Sequence, residues 1–311
     1  MAALDGVVLS EKALASLLSQ RDRAVSVLIE KALLRCTPGI TGIVFSKDRA
    51  LQLYALLQSY FANVNVPAPL YIVYGASSEG HARAYREVAS ELASRPVTFI
   101  DDSPGFRTTL IGVLESITTS NLFFLVDDIV FLREVDFSML PMLNALEHVL
   151  SLRHGPHLRR SYTSNVDQAP PVFRPSGIHP ELLEFSWFEQ AHEWSDPWSV
   201  DGQVLSTAEV SVMAQVSGFQ APNSFESALK SFNSLAAGRQ GLCFRESKIL
   251  NLPLNRVQDE VPNRKGNVSA DRLLDEWNRG MMLDISGFSK IIPRSPHEEH
   301  PVTFKKRDRR F

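Results

Sequence analysis

Cysteine is nearly absent: Cys36 and Cys243 are the only two in 311 residues. That excludes a disulfide scaffold and a four-thiolate zinc site, and makes a reducing compartment the expectation. No run approaches the roughly 18 consecutive apolar residues of a membrane-spanning helix. The opening, MAALDGVVLSEKALASLLSQRDR, lacks a basic stretch followed by an apolar one, so no secretory leader is expected. Neither sign of charge dominates. The 32 Lys plus Arg face 35 Asp plus Glu, a net of −3, which argues against bulk electrostatic binding of nucleic acid. Glycine and proline, at 16 and 18, are too few for a disordered or fibrous chain. Neither G-x-x-x-x-G-K-[ST] nor G-x-G-x-x-G occurs, which disfavours P-loop and dinucleotide chemistry. The eight His show no H-x-x-x-H or H-E-x-x-H spacing, so a His-built zinc site is not expected.

What is present is an ordered alternation. Residues 8–35 carry apolar side chains at three-to-four spacing, predicting one or two amphipathic helices that end at Thr37-Pro38-Gly39. From Ile40 short apolar runs alternate with helical stretches. The runs are ITGIVFS (40–46), LYIVYG (70–75), PVTFID (96–101) and NLFFLV (121–126), and the helical stretches are 51–61, 80–94 and 108–118. Continuous apolar strands alternating with helices predict an α/β fold, a mostly parallel sheet with helices on both faces and an N-terminal helical extension. Farther on the pattern predicts helices at 139–150, 224–237 and 269–279 and strands at 199–206 and 242–250. Four divisions follow: a helical segment (1–39), a first half (40–137), a second half (138–292) and a mobile basic tail (293–311).

Each strand of the first half ends in polar or acidic residues, and open α/β sheets bind ligands at those ends. Asp127 and Asp128 close the fourth strand. Two carboxylates there suit Mg²⁺ or Mn²⁺, which completes its shell with water and phosphate oxygens; a solvated acidic turn is the other reading. Ser46 and Arg49 close the first strand. Arg49 either pairs with a phosphate or braces its loop against Asp48 or Asp102. Tyr74 either stacks on a nucleobase or is a core aromatic. Asp101 and Asp102 are candidates for base or ribose contacts, and Arg107 for the pyrophosphate or sugar.

The block VFSKDRALQLYALLQSYF (44–61), PVTFIDDSPGFRTTLIGVLESI (96–117) and VDDIVF (126–131) resembles the nucleotide-sugar half of glycosyltransferases of the GT-A fold, in a family 2-like form. VDDIVF stands where those enzymes carry an acidic D-x-D motif, closest to the E-D-D variant, with Val126 in place of the first acid. The resemblance covers residues 40–137, and 199–260 loosely. It implies a GT-A-like (Rossmann-like) sheet, a metal ligand at Asp128 with Asp127 on ribose or a bound water, Mn²⁺ or Mg²⁺ as cofactor, and a nucleotide-sugar donor, UDP-type. It also implies a glycan, lipid-linked or protein acceptor and hexosyl transfer with inversion. In related transferases a catalytic acid opens a helix about a hundred residues after the metal motif. Glu226, in APNSFESALKSF, stands there as base, or else as a helix-cap residue complementing the dipole. Asp201, in SVDGQVLS, is the second candidate, unless Asp-Gly marks a turn. Asn251 or Asn255 could stand in for a metal-ligating His. Trp187, Phe188, Trp194 and Trp198 either stack on sugar rings or pack beneath a loop. No nucleic acid partner is expected. A cytoplasmic location is, at the inner membrane face if the tail residues Lys305, Lys306, Arg307, Arg309 and Arg310 meet anionic lipid. The competing functions are a nucleotidyltransferase on a related sheet and a non-catalytic sugar- or nucleotide-binding relative.

Overall fold

The computed structural model describes residues 3–4, 7–8, 10–255 and 268–307. Helix α1 (Glu11–Leu33) is one continuous helix, started by Ser10, whose hydroxyl accepts the Ala13 N–H at 3.2 Å. The first half then runs β1 (Thr37–Lys47), α2 (Ala50–Asn63), β2 (Leu70–Gly75), α3 (Glu79–Glu91), β3 (Val97–Asp101), α4 (Phe106–Ser116), β4 (Thr119–Val126) and β5 (Ile129–Phe131). The second half adds β6 (His148–Ser151), β7 (Arg174–Pro175), β8 (Leu182–Ser186), β9 (Gln203–Ser206), α5 (Thr207–Val216), α6 (Pro222–Lys230), β10 (Gln240–Phe244) and β11 (Ile249–Asn251). It ends with α7 (Ala270–Asn278), β12 (Met281–Leu283) and β13 (Phe304–Lys306).

A nine-stranded sheet in the order β7-β8-β10-β6-β9-β4-β1-β2-β3 joins the two halves. All its strands except β8 and β9 point the same way. The sheet is apolar on both faces because it is covered on both. Val44, Ile72, Phe123 and Leu125 face one core with α2, α3 and α7, whereas their neighbours Ile43, Val73, Leu122 and Phe124 face the other with α1, α4, α5 and α6. The period of two along each strand thus loads both cores, as expected for the α/β class.

Three expectations need correction. Residues 139–150 are not a helix: a short 3-10 turn (Leu140–Met142) precedes strand β6, and Pro141 lies inside that turn. The expected mobile tail is packed through residue 307. β13 pairs antiparallel with β12, and the Arg307 guanidinium lies 3.5 Å from the centre of the Trp277 ring, beside Glu91 at 3.3 Å. A buried cation held by an aromatic face and a carboxylate is anchored rather than free, so Arg307 is withdrawn from any membrane surface. Lys305 is paired with Asp284 at 3.1 Å, and Arg309 and Arg310 lie outside the described residues. Finally, Trp187, Trp194 and Trp198 are buried with Phe185 and His154, and of the four aromatics only Phe188 is exposed. They pack beneath the loop and leave no indole face for a sugar. Among the described residues no helix is long and apolar enough to cross a membrane.

Candidate functional site

The carboxyl ends of β1, β2 and β4 lie side by side, with Ser46 opposite Tyr74 and Phe45 opposite Val126. The chain leaves β1 through a tight turn. Asp48 sits at φ +54°, a left-handed conformation that Asp tolerates better than most residues. It is fixed there by its backbone N–H on the Gly75 carbonyl at 3.1 Å and by its own carboxylate, which accepts the Ser77 N–H at 2.7 Å. This turn carries Arg49 back over the end of β4.

Asp127 is the best-anchored of the acids. Oδ2 accepts the Ser46 hydroxyl at 2.9 Å and the Lys47 N–H at 3.2 Å, and Oδ1 accepts Arg49 Nη1 at 2.9 Å. The same guanidinium nitrogen is 3.5 Å from Asp128 Oδ2. Arg49 therefore pairs with the acid pair itself rather than with Asp48 or Asp102, and its Nη2 also donates to the Asn255 carbonyl at 2.5 Å. Asp128 faces the opposite side of the turn, where Asn251 Nδ2 reaches its Oδ1 at 3.3 Å. Burial, with the negative charges of Asp127 and Asp201, pushes the Asp128 carboxyl up to about 6 despite Arg49 and His297.

His297, which the sequence pattern did not single out, joins this candidate site. Asn251 bridges to it in parallel, and its Nε2 lies 3.4 Å from Asp201 Oδ2. Asp201 also meets Arg153 Nη1 at 3.1 Å. Burial opposes ionisation of Asp201, but the His297 hydrogen bond and the Arg153 charge outweigh it and hold the carboxyl at about 2. The signal was present in the run Pro296-His297-Glu298-Glu299-His300-Pro301, a dense set of ligand-type side chains between prolines and unusual for a solvated tail. Among the described residues the buried atoms Asn251 Oδ1 and His297 Nδ1 have no hydrogen-bond partner. Burial opposes a charge on His297, but the hydrogen bond and negative charge of Asp201 outweigh it and raise its pKa, so the imidazolium is favoured and Nδ1 gains a lone pair only when that proton is given up.

The remaining candidates are distributed around this centre. Tyr74 is half-buried at the end of β2, its ring 4.6 Å from that of Tyr85. Asp102 is held by its N–H on the Tyr74 carbonyl at 2.9 Å, and its carboxylate approaches Gly75 so closely that a Cβ there would lie 3.0 Å from Oδ1. Burial and Asp101 raise the Asp102 carboxyl. Asp101 is exposed and accepts the Ser103 N–H at 2.8 Å. Arg107 is engaged elsewhere: it donates to the carbonyls of Gln215 and Ser217, each at 3.0 Å, closing the end of α5. Glu226 lies in the first turns of α6, where it accepts Val200 N–H at 3.1 Å, Ser199 Oγ at 3.2 Å and Lys230 Nζ at 2.6 Å. Lys230 also bridges to Asp196 at 2.8 Å. Arg153 sits between this group and the centre, 3.1 Å from Asp201 and 3.6 Å from Glu193, and the surrounding carboxylates outweigh its burial and raise its pKa. Asp201 does close a turn with Gly202, whose φ of +87° and closeness to Ile249 leave no room for a side chain.

Beneath the site, His154 is fully buried, with Nδ1 accepting from Ser151 Oγ at 2.6 Å and Nε2 donating to the Glu193 carbonyl at 3.1 Å. Burial, then the Arg153 charge, holds its pKa well below the ordinary 6.5. Below pH 6.5 the unfolded chain therefore takes up a proton that the folded chain refuses, and stability falls as pH drops. The slope from this one group is about 1.4 kcal/mol per pH unit. Urea unfolding of wild type and His154→Gln between pH 7 and 5 should show a shallower fall in the variant; equal slopes would remove His154 as the cause.

No family model matches the sequence, and no curated protein matches it. Among solved structures, 68% of the chain aligns with 59% of an S. aureus TarS fragment at 12% identity and a TM-score of 0.42. A nucleotidyl transferase from Methanothermobacter thermautotrophicus aligns over 67% of this chain and 87% of its own, at 10% identity and a TM-score of 0.36. The 4-diphosphocytidyl-2C-methyl-D-erythritol synthase from Anaerococcus prevotii aligns over 70% of this chain and 91% of its own, at 10% identity and a TM-score of 0.39. The chain spans less than two thirds of the TarS fragment's length.

Proposed function

We propose that the chain is a glycosyltransferase that moves a sugar from a nucleoside-diphosphate donor, UDP-type, to a glycan, lipid-linked or protein acceptor. One observation carries the reading. An acid pair at the end of a parallel strand is held by a guanidinium from the neighbouring strand end, next to two buried polar atoms that lack partners, Asn251 Oδ1 and His297 Nδ1. The carboxylates of Asp127, Asp128, Asp201 and Glu193 outnumber the cations Arg49, Arg153 and His297, four against three, so the centre is short of positive charge.

Among the described residues no group of three or more His, Cys, Asp or Glu side chains is disposed to hold a metal. A hard divalent ion does not need one: Mg²⁺ and Mn²⁺ are commonly held by one or two carboxylates, with phosphate and water completing the shell. Asp128, aided by Asn251 Oδ1, would hold such an ion, with His297 Nδ1 joining it on loss of its proton, and the ion would neutralise the departing diphosphate. Asp127 is already saturated by Ser46, Lys47 and Arg49 and orients the site instead. Tyr74 and Asp102 lie at the base end. Of the two candidate bases we assign Glu226, whose side chain is 21% exposed, to take the acceptor hydroxyl proton; its carboxylate accepts from Ser199, Val200 and Lys230, so the exposed Lys230 contact must give way to the acceptor. Asp201 is engaged by Arg153 at 3.1 Å and His297 at 3.4 Å and serves to orient His297.

The test is a panel of nucleotide sugars with and without Mn²⁺. Release of the nucleoside diphosphate from one of them, faster with an acceptor present, is the expected result. Pyrophosphate release from a nucleoside triphosphate would instead identify a nucleotidyltransferase, and binding without turnover over a broad acceptor set a non-catalytic relative.

A further inference from the structure

One side chain links the two ends of the site, and it comes from α3. Tyr85 is completely buried, and its hydroxyl meets two groups of the β1 turn, Ser46 Oγ at 2.6 Å and the Arg49 backbone N–H at 3.0 Å. The direction of each bond follows from the hydrogens available. Ser46 has one hydroxyl hydrogen, and the Asp127 carboxylate, which can only accept, takes it. Tyr85 must then donate to Ser46, while its oxygen accepts from Arg49. The result is a directed chain, Tyr85 to Ser46 to Asp127, with each hydrogen assigned. The ring does separate work: it lies 4.6 Å from the Tyr74 ring, tilted by 34°, and supports that half-buried side chain from behind.

We infer that Tyr85 is the positioning residue of this site, its hydroxyl setting the Asp127 carboxylate and the Arg49 turn and its ring setting Tyr74. What the positioned groups bind rests on the nucleotide-sugar reading above; the positioning itself does not. The hydroxyl matters because Asp48 holds the turn in a left-handed conformation. Without a partner for the part-buried Arg49 N–H, the turn loses one of the bonds that oppose its relaxation.

Tyr85→Phe is the test, because it removes the hydroxyl and keeps the ring. Tyr60→Phe is the matched control. Tyr60 is equally buried, and its hydroxyl donates to the Ala68 carbonyl at 2.9 Å without touching the site. Two readouts are taken on both variants: NMR hydrogen exchange at the Lys47 and Arg49 amides without ligand, and calorimetric titration with Mn²⁺ and then UDP. Tyr85→Phe is expected to speed exchange at both amides by about tenfold and to weaken Mn²⁺-dependent UDP binding by about tenfold, while Tyr60→Phe changes neither. Wild-type protection at Lys47 and Arg49 in Tyr85→Phe, or the same loss in Tyr60→Phe, overturns the inference. If the amides respond as expected but the wild type binds neither Mn²⁺ nor UDP, Tyr85 stands as the positioning residue and the nucleotide-sugar reading falls.

Discussion

Asp128→Ala should lower donor turnover by about 10²–10³-fold, the usual loss when a group that stabilises developing charge is removed, and should abolish measurable Mn²⁺ binding. Asp136→Ala should do neither. Asp136 is exposed, and its carboxylate accepts from Ser138, whose N–H lies at 2.8 Å. The stability arm points the other way. Burial pushes the Asp128 carboxyl up to about 6, with Asp127 and Asp201 adding to the effect, so a charge there opposes folding near neutral pH. Asp128→Asn keeps the shape, removes the charge and should leave the melting temperature unchanged or higher. Lost activity with retained stability is the mark of a group kept for function at some cost to the fold. A fall in both by similar measure in Asp128→Asn would make it a structural acid and remove the centre of the proposed reaction.

The first half was readable because its strands are short, mostly apolar runs that stop at small, polar or acidic residues. LYIVYG is strand β2 residue for residue, and the acids after NLFFLV fall at the end of β4, where they meet Ser46 and Arg49. What the pattern could not carry was partnership across distance. Arg49 finds Asp127 78 residues away, and Arg107, near the end of β3, turns to carbonyls more than a hundred residues on. The second half defeated periodicity for another reason. Its strands are short, β8 and β9 run antiparallel to the rest, and Trp187, Trp194 and His154 form an aromatic cluster under a loop that composition alone makes look like a binding surface. His297 was hidden because polarity near a terminus reads as solvation. The strand pairing of β12 with β13 and the burial of Arg307 turn that segment inward and deliver the imidazole beside Asn251.

The largest stability effect should come from a pair remote from the chemistry. Glu209, in the first turn of α5, and Arg239, just before β10, are both buried and form two parallel hydrogen bonds, one of them Nη1 to Oε2 at 2.7 Å. Arg239 Nη1 also donates to the Ala145 carbonyl at 3.2 Å, and its guanidinium lies 5.3 Å from the Trp198 ring centre. The pair ties α5 to the strand that extends the sheet beyond β6. Glu209→Ala strips the partner from a guanidinium that cannot lose its proton and cannot reach water, at a cost of about 3–5 kcal/mol. Against a typical total of about 5–15 kcal/mol, that loss should be plain in urea unfolding. The double variant Glu209→Met with Arg239→Met removes both charges and keeps most of the volume, so it should be more stable than Glu209→Ala by about 2 kcal/mol or more. A double variant no better than the single would place the loss in packing around Trp198 rather than in the stranded charge.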